Sequence, residues 1–259
     1  MKTIGFMPLH YGAPYLAAAI RSVLYAVDEM WILYTPHPSH NGNTVTTVPC
    51  PDSARDLYAI ARKAAGDKLR WVQGDWRLEG EHRDAIYQCA PDADMILSVD
   101  SDEVWNPPLI DVAFKVYEKS MQEGRRYWLV PFVHFWRSFN RAIVNDGQLP
   151  QRITFPKASN DFYQKYGTSY VERGNPASKR FICHFGYAIP VQHMRYKWSG
   201  GHGHQSELRP DFLGKYERNE LEDVHPVSKR FWSPEVVNPL DYMPEWMQEH
   251  PYWGLEVIE

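Results

Sequence analysis

The chain has 259 residues, of which 44% are hydrophobic and 23% charged. This composition allows a sizeable core and excludes a globally disordered, collagen-like or coiled-coil protein. The formal net charge of −4 lacks the overall basic balance of a typical nucleic-acid binder. The length fits one large α/β domain, and we expect a single domain over residues 1–259.

Residues 1–125 alternate short apolar runs with helical patterns, which is typical of a βαβ series of parallel strands. Buried strands are predicted at Thr3–Met7, Met30–Tyr34, Leu69–Gln73 and Met95–Val99. Helices are predicted around Leu16–Val27, Asp52–Ala65, Glu81–Ala90 and Asn106–Gln122.

Regularity falls after Tyr127. Strand-like pieces are predicted at Tyr127–Phe135, Arg152–Phe155 and Arg180–His184. From Pro226 onward the prolines are too closely spaced for long helices, and residues 226–259 are predicted to form an extended tail packed on the domain.

Three cysteines are widely spaced and lack CxxC pairing, which fits a reducing compartment. The N-terminal apolar run is interrupted by Pro8 and is too short for a signal peptide, and no run of about 18 apolar residues follows. We therefore expect a cytoplasmic protein without a transmembrane segment, with peripheral membrane contact left open.

Three acids, Asp100, Asp102 and Glu103, follow the fourth predicted strand. Ligands of open α/β sheets bind at the carboxyl ends of the strands. Carboxylates at the end of an apolar strand are costly unless they are solvated or hold a cation, and Mg²⁺ and Mn²⁺ prefer oxygen ligands shared with phosphates. Spacing alone leaves two alternatives, a metal site and a solvated acidic turn at the start of the next helix.

The segments IGFMPLHYGAPYLAAAIRSVLYAVDEMWILY (4–34) and EGEHRDAIYQCAPDADMILSVDSDEVW (79–105) resemble GT-A glycosyltransferases of the family 2 type. They are similar to that family's first βαβ unit and to its helix-plus-DxD segment. The resemblance implies a mixed, mainly parallel central sheet flanked by helices. It also implies a nucleotide-sugar donor, UDP-sugar foremost, held by Mn²⁺ or Mg²⁺. Residues 1–125 would bind this donor and residues 126–225 the acceptor.

Within the motif Asp100-Ser101-Asp102, the resemblance makes Asp102 the direct metal ligand. Asp100 matches the acid that contacts the ribose or reaches the metal through water, and Ser101 lies between them at the donor. Arg83 matches a helix position that contacts the base or the phosphates.

Pro8, His10 and Tyr11 fall at the end of the first strand, where the nucleotide base sits in such enzymes. The family usually carries an acid at the end of the second strand, whereas this chain has Tyr34-Thr35-Pro36. Stacking of the base on Tyr34 or Tyr11 would substitute for that acid.

The string HFGYA (184–188), with Lys197 downstream, resembles the late strand that completes the metal site and clamps the diphosphate in several GT-A families. His184 is therefore the third predicted metal ligand, with an ordinary core histidine as the alternative. The Gly/His loop 200–207 is predicted to be a lid or acceptor loop, or else a flexible surface loop. Further candidate cations for the diphosphate are Arg137, Arg152 and Arg209.

An inverting transferase needs a carboxylate base at the acceptor hydroxyl, and a retaining one does not. Glu207, Asp146 and Asp223 lie in loop-like segments and are the candidates, with Glu207 favoured because it is next to the Gly/His loop.

The sequence thus predicts a metal-dependent glycosyltransferase acting on a glycan, lipopolysaccharide or other polysaccharide. The aromatic segments Tyr127–Trp136 and Tyr187–Trp198 are candidate stacking surfaces for sugars. Three alternatives stay open: transfer to hydroxymethylated bases of viral DNA, a metal-dependent hydrolase, and a non-catalytic sugar-binding protein.

Overall fold

The computed structural model of the protein describes residues 1–39, 46, 48–144, 147–158, 169–170, 178–199, 209–227 and 230–257. For residues 169–170 the description extends to the backbone alone. Among these residues, no helix combines the length and the apolar character needed to cross a lipid bilayer.

The described residues form a mixed α/β fold, as predicted. The strands are β1 (Thr3–Leu9), β2 (Glu29–Tyr34), β3 (Leu69–Gln73), β4 (Met95–Ser98), β5 (Glu103–Trp105), β6 (Tyr127–Leu129), β7 (Phe132–Trp136), β8 (Arg141–Ile143), β9 (Gln151–Thr154), β10 (Ser169–Tyr170), β11 (Ile182–Tyr187) and β12 (Glu235–Val236). The α-helices are α1 (Ala13–Leu24), α2 (Ala54–Ala65), α3 (Glu79–Cys89), α4 (Pro107–Lys115), α5 (Tyr117–Glu123), α6 (Val191–Ser199) and α7 (Phe212–Glu217). Short 3₁₀ helices occupy Gly66–Lys68, Pro239–Asp241 and Glu245–Glu249.

The first sheet has the strand order β10-β6-β9-β4-β1-β2-β3 among the described residues. Strands β4, β1, β2 and β3 are parallel, whereas β9 runs antiparallel to both β4 and β6. The chain moves outward from β1 through β2 to β3 and then returns to the other side of β1 with β4. This reversal places a topological switch point between the carboxyl ends of β1 and β4, which is where such sheets bind ligands.

Both faces of the middle of the first sheet are covered, which is why β1, β2 and β4 are almost continuously apolar. In β1, Ile4 and Phe6 pack on the face that carries Ile86 of α3. Met7 and Leu9 pack on the opposite face, in the cluster that includes residues of α1 and α2. The alternation follows from the two-residue period of a strand.

Two helix boundaries follow from their capping residues. The Ser53 side chain accepts the Asp56 amide hydrogen at the start of α2, and Gly66, with φ of 57°, ends this helix. Pro107 follows Asn106 at the start of α4, where a missing N–H group does no harm. The single helix predicted at Asn106–Gln122 is instead two helices, α4 and α5, which meet at Val116.

A second sheet was not predicted. Its strand order is β12-β8-β7-β11-β5 among the described residues. The predicted strand Tyr127–Phe135 is divided between the sheets, because β6 ends at Leu129 and β7 begins at Phe132 in the other sheet. The Pro-rich tail packs on the second sheet through buried Met243 and Met247.

Candidate functional site

A cleft of about 680 Å³ opens at the carboxyl ends of β1 and β4, at the switch point of the first sheet. The chain crosses from the first sheet to the second at this place, since Asp100-Ser101-Asp102 connects β4 to β5. All three of these residues line the cleft. The motif predicted from the sequence therefore lies where the topology favours a ligand site.

The turn is held in place by contacts with the end of β1. The Ser101 hydroxyl donates a hydrogen bond to the carbonyl oxygen of Tyr11 at 3.0 Å. Gly12 follows with a φ of 124°, and a Cβ atom there would lie 2.0 Å from Ser101 Oγ. Glycine is required here both by the backbone conformation and by the closeness of the serine. Ser101 thus positions the turn through its contact with the β1 loop.

Asp102, His184 and Lys197 converge in the cleft. Asp102 Oδ2 lies 3.7 Å from His184 Nε2 and 3.5 Å from Lys197 Nζ. The register of the second sheet explains this approach, because His184 of β11 pairs with Glu103 of β5 and the Phe185 amide donates to the Asp102 carbonyl at 2.7 Å. Lys197 reaches the acid from α6 and also donates to the Gly186 carbonyl at 3.2 Å.

Asp102 and His184 fit a shared hard cation. With bonds of about 2.1 Å, neighbouring ligands of an octahedral ion stand about 3.0 Å apart and opposite ones about 4.2 Å. The observed 3.7 Å lies between these values, so a small movement of either side chain lets both reach one ion. Gly186 keeps the space open, because a Cβ atom there would lie 2.5 Å from His184 Cε1 and 2.7 Å from Asp102 Oδ2. Mg²⁺ and Mn²⁺ commonly take one or two protein ligands and complete their coordination with substrate phosphates and water.

The predicted set of three metal ligands is not assembled in the described part of the chain, where no group of three or more acidic, histidine or cysteine side chains could hold a metal. The Asp100 carboxylate faces two arginines instead. Arg83 Nη1 and Nη2 lie 3.1 and 3.0 Å from its two oxygens, and Arg152 Nη2 lies 2.7 Å from Oδ2. Ligation by Asp100, directly or through water, stays a prediction and would have to compete with these ion pairs.

Glu103 was predicted to lie with Asp100 and Asp102 at the ligand-binding end of the strand, but its side chain does not face the cleft. Its side chain is fully buried and accepts hydrogen bonds from Arg152 Nε and Nη2 at 2.6–3.0 Å. Burial raises the pKa of Glu103 to about 7, although the Arg152 charge opposes this shift. Glu103 therefore anchors Arg152, which lines the cleft together with Arg83.

The residues predicted to hold the nucleotide base are partly brought to the cleft. Pro8, His10 and Tyr11 line it, and His10 contacts the Thr35 carbonyl through Nδ1 at 2.8 Å and the Tyr196 hydroxyl through Nε2 at 2.6 Å. Tyr34 is buried and stacks on Trp71 with ring centroids 5.4 Å apart, and it is not among the described residues that line the cleft.

Three carboxylates are candidates for the general base that activates the acceptor hydroxyl. Two of them, Asp146 and Glu207, lie outside the described residues, as does the Gly/His loop 200–207. Asp223 is paired with Arg209, whose hydrogen bonds hold the pKa of this carboxyl below its usual value. Asp223 and Arg209 are both absent from the described lining of the cleft, so the structure does not bring them to the site.

The aromatic segments predicted to stack on sugars mainly build the core. Trp128, Phe135 and Trp136 are buried, and Trp198 stacks on Phe212 with centroids 4.3 Å apart. The candidate cation Arg137 is likewise buried, over the ring of Tyr216. Aromatic composition alone does not separate a binding platform from a core.

Two features of the site were not predicted. His134 of β7 is 1% exposed, and its Nδ1 lies 2.7 Å from Nδ1 of His184. On α6, His193 Nε2 lies 3.0 Å from Asp52 Oδ1, and Asp52 Oδ2 accepts the amide hydrogen of Gly12 at 2.7 Å. Each of these contacts joins residues far apart in the sequence, and no local pattern announces such a pairing.

No family model matches the sequence, and no curated protein matches it. Among solved structures, similarity extends to glucosyl-3-phosphoglycerate synthase from Mycobacterium tuberculosis in complex with Mn²⁺, UDP-glucose and phosphoglyceric acid, with 14% identity, 68% of this chain and 73% of that chain covered, and a TM-score of 0.40. It also extends to S. aureus TarS, which is 17% identical, with 58% of this chain and 23% of that chain covered and a TM-score of 0.33. A structure of S. aureus TarS 1–349 is 13% identical, with 77% of this chain and 56% of that chain covered and a TM-score of 0.38. Similarity this distant does not establish a shared activity.

Proposed function

We propose that the protein is a metal-dependent glycosyltransferase that moves a sugar from a nucleotide-sugar donor, UDP-sugar foremost, to a hydroxyl acceptor such as a glycan, lipopolysaccharide or other polysaccharide. The observation that carries this proposal is the convergence of Asp102, His184 and Lys197 in a cleft at the switch point of a parallel sheet. The cleft volume of about 680 Å³ is in the range of pockets that bind small molecules and cofactors.

Departure of a nucleoside diphosphate concentrates negative charge on its terminal phosphate. A bound Mn²⁺ or Mg²⁺ supplies Lewis-acid stabilisation of that charge, and Asp102 and His184 would hold the ion. Lys197 supports the same task, because its contacts with Asp102 and the Gly186 carbonyl hold the ammonium group in place before the charge develops. Preorganised charges of this kind act without the reorganisation that water would need.

Arg83 and Arg152 donate hydrogen bonds to Asp100 and add little net positive charge to the cleft. Asp100 and Glu103 compensate them, and Glu79 forms a further ion pair with Arg83 at 2.9 Å. In this proposal the arginines keep Asp100 in a fixed orientation, and the acid presents its lone pairs to the ribose. This role agrees with the ribose contact predicted for Asp100 from the sequence.

Acceptor activation stays a prediction. An inverting reaction would use Glu207 or Asp146 as the general base, whereas a retaining reaction would use neither. The anomeric configuration of the product, measured by NMR before it equilibrates, decides between the two routes. If the product is inverted, Glu207→Gln and Asp146→Asn identify the base, since its loss removes transfer while donor binding is retained.

Donor hydrolysis with and without Mn²⁺, measured across UDP-, GDP-, CDP- and TDP-sugars, tests the proposal. We expect slow, Mn²⁺-dependent hydrolysis of one donor, loss of this activity in Asp102→Asn, and full activity in Asp111→Asn, a matched change on the exposed side of α4. Hydrolysis of phosphate esters or of amides, in place of nucleotide sugars, would identify a hydrolase. Sugar binding without any turnover would identify a binding protein, and salt-dependent retention on duplex DNA would favour a DNA acceptor.

A further inference from the structure

His134 and His184 lie side by side on neighbouring parallel strands. They occupy paired positions of β7 and β11, so both side chains project from the same face of the second sheet. Their rings are nearly perpendicular, at 89°, and the two Nδ1 atoms are 2.7 Å apart. This is the distance of a strong hydrogen bond between ring nitrogens.

One hydrogen must lie between these two nitrogens, and its owner fixes the tautomer of His184. If His184 Nδ1 donates, its Nε2 is unprotonated and presents a lone pair toward Asp102. If His134 Nδ1 donates, neutral His184 carries its proton on Nε2, which faces Asp102 Oδ2 at 3.7 Å. That separation exceeds hydrogen-bond length, so neither arrangement makes a hydrogen bond to Asp102, and only the first leaves a lone pair on Nε2 that can bind a ligand in the cleft.

We propose that His134 is a positioning residue that accepts the Nδ1 proton of His184 and thereby directs the Nε2 lone pair of His184 into the cleft as a metal ligand. This inference rests on the proposed function only in naming a metal as the species that Nε2 binds. Metal-binding histidines generally donate their other ring N–H to an acceptor, which fixes both tautomer and ring orientation. In this protein a second histidine takes the place that a carboxylate or a carbonyl oxygen commonly occupies.

The surroundings of His134 explain why the acceptor is an imidazole. Its ring packs against three aromatic rings on the same face of the sheet, with centroids 5.0 Å from Trp232, 5.5 Å from Phe132 and 5.7 Å from Tyr187. A carboxylate here would bury a negative charge among apolar groups, whereas a neutral imidazole accepts the hydrogen without that cost. Phe132 stacks on His184 at 4.9 Å and 8°, so the histidine ring is restrained on its face as well as at Nδ1.

The tautomer is measured directly by long-range ¹H–¹⁵N correlation NMR of the metal-free protein at a pH where both histidines are neutral. His184→Gln assigns the His184 resonances. We expect His184 to carry its proton on Nδ1 and to show an unprotonated Nε2. A proton on Nε2 of His184 would overturn the proposal, and this readout needs neither a metal nor a donor.

Mn²⁺ affinity provides the second test, measured by electron paramagnetic resonance titration in the presence of UDP. His134→Phe removes the acceptor, whereas His134→Asn keeps an acceptor atom near the position of Nδ1. We expect 10- to 100-fold weaker Mn²⁺ binding in the phenylalanine variant and only a few-fold loss in the asparagine variant. Their urea midpoints establish that both variants fold.

Wild-type affinity in the phenylalanine variant, or equal loss in both folded variants, would contradict the role of His134. A wild-type protein that binds no Mn²⁺ in the presence of UDP would overturn the proposed function and the metal part of this inference. The NMR result would then still decide whether His134 sets the tautomer of His184, so the two failures are distinguishable.

Discussion

Lys197 Nζ lies 3.5 Å from Asp102 Oδ2, which links helix α6 to the turn after β4. Its side chain is 11% exposed, so most of the aliphatic stem is covered while the ammonium group lines the cleft. A lysine held in this way stabilises an anion in the cleft more strongly than a mobile surface lysine would.

We expect Lys197→Met to lower kcat for donor turnover by roughly 10²- to 10³-fold, which is the usual effect of removing one preorganised group that stabilises developing charge. Lys197→Arg should retain part of the activity, because it keeps the charge. Steady-state kinetics with the preferred donor measure both values. Lys115→Met, on the exposed side of α4, is the control, and an unchanged kcat in Lys197→Met would exclude this role for the lysine.

Gly186→Ala should abolish the joint binding of metal and donor. The added Cβ atom would lie 2.5 Å from His184 Cε1 and 2.7 Å from Asp102 Oδ2, so one of the two predicted ligands must move. Thermal-shift measurements with Mn²⁺ and the preferred nucleotide sugar should show stabilisation of the wild type but none of the variant.

Gly214→Ala is the matched control for this substitution. Its Cβ atom would meet only the flexible side chain of Arg218, on a helix away from the cleft. Full ligand-dependent stabilisation of the Gly186→Ala protein would show that the space beside Asp102 and His184 is not needed.

Arg152→Met should destabilise the protein by about 3–5 kcal/mol, because it leaves the fully buried Glu103 carboxylate without its cationic partner. The double variant Arg152→Met/Glu103→Gln should recover part of this loss, since it also removes the buried charge. Urea unfolding at pH 8 measures both values. Equal destabilisation of the single and double variants would mean that the loss does not arise from the charge on Glu103.

His82 predicts a pH dependence of stability. Its Nε2 contacts the Leu33 carbonyl at 2.7 Å and its Nδ1 the Ser39 hydroxyl at 3.2 Å, and burial lowers its pKa to about 4. An unfolded histidine titrates near 6.5, so between about pH 6.5 and 4 the unfolded chain binds a proton that the folded protein does not. Stability therefore falls as the pH falls through this window, by about 3 kcal/mol.

Urea unfolding of the wild type and His82→Gln at several pH values isolates this effect. Glu103, with its raised pKa, acts in the opposite direction over an overlapping range, so the difference between the two proteins is the informative quantity. We expect the wild type to lose its advantage over the variant as the pH drops from 6.5 to 4. Parallel stability curves would show that His82 titrates normally in the folded state.

The parallel part of the first sheet was predictable because its central strands β1, β2 and β4 are buried on both faces. Strands β1 to β4 are short apolar runs, and a cap such as Ser53 or a stop such as Gly66 marks a helix between them. The second sheet was not predictable, because β5 has three residues and its partner β11 is far away in the chain. Nothing in the local sequence shows that the chain changes sheets at Asp100-Ser101-Asp102.

The candidate site was predictable only in part, because several of its contacts join residues that are far apart in the chain. Resemblance to a family singled out Asp102, His184 and Lys197, and the structure brings these three together. The surroundings of Asp100 depend on Arg152, which reaches it from β9, and sequence spacing carries no information about such a contact. His134 was hidden in the same way, within the apolar run of β7.

The central claim is that Asp102 and His184 hold one divalent cation together with the diphosphate of a nucleotide sugar. Anomalous diffraction from crystals grown with Mn²⁺ and UDP tests this claim most directly. We predict a manganese peak at about 2–2.3 Å from both an Asp102 carboxylate oxygen and His184 Nε2, in contact with the diphosphate. UDP bound in the cleft without manganese between these side chains, or manganese located elsewhere, would contradict the account.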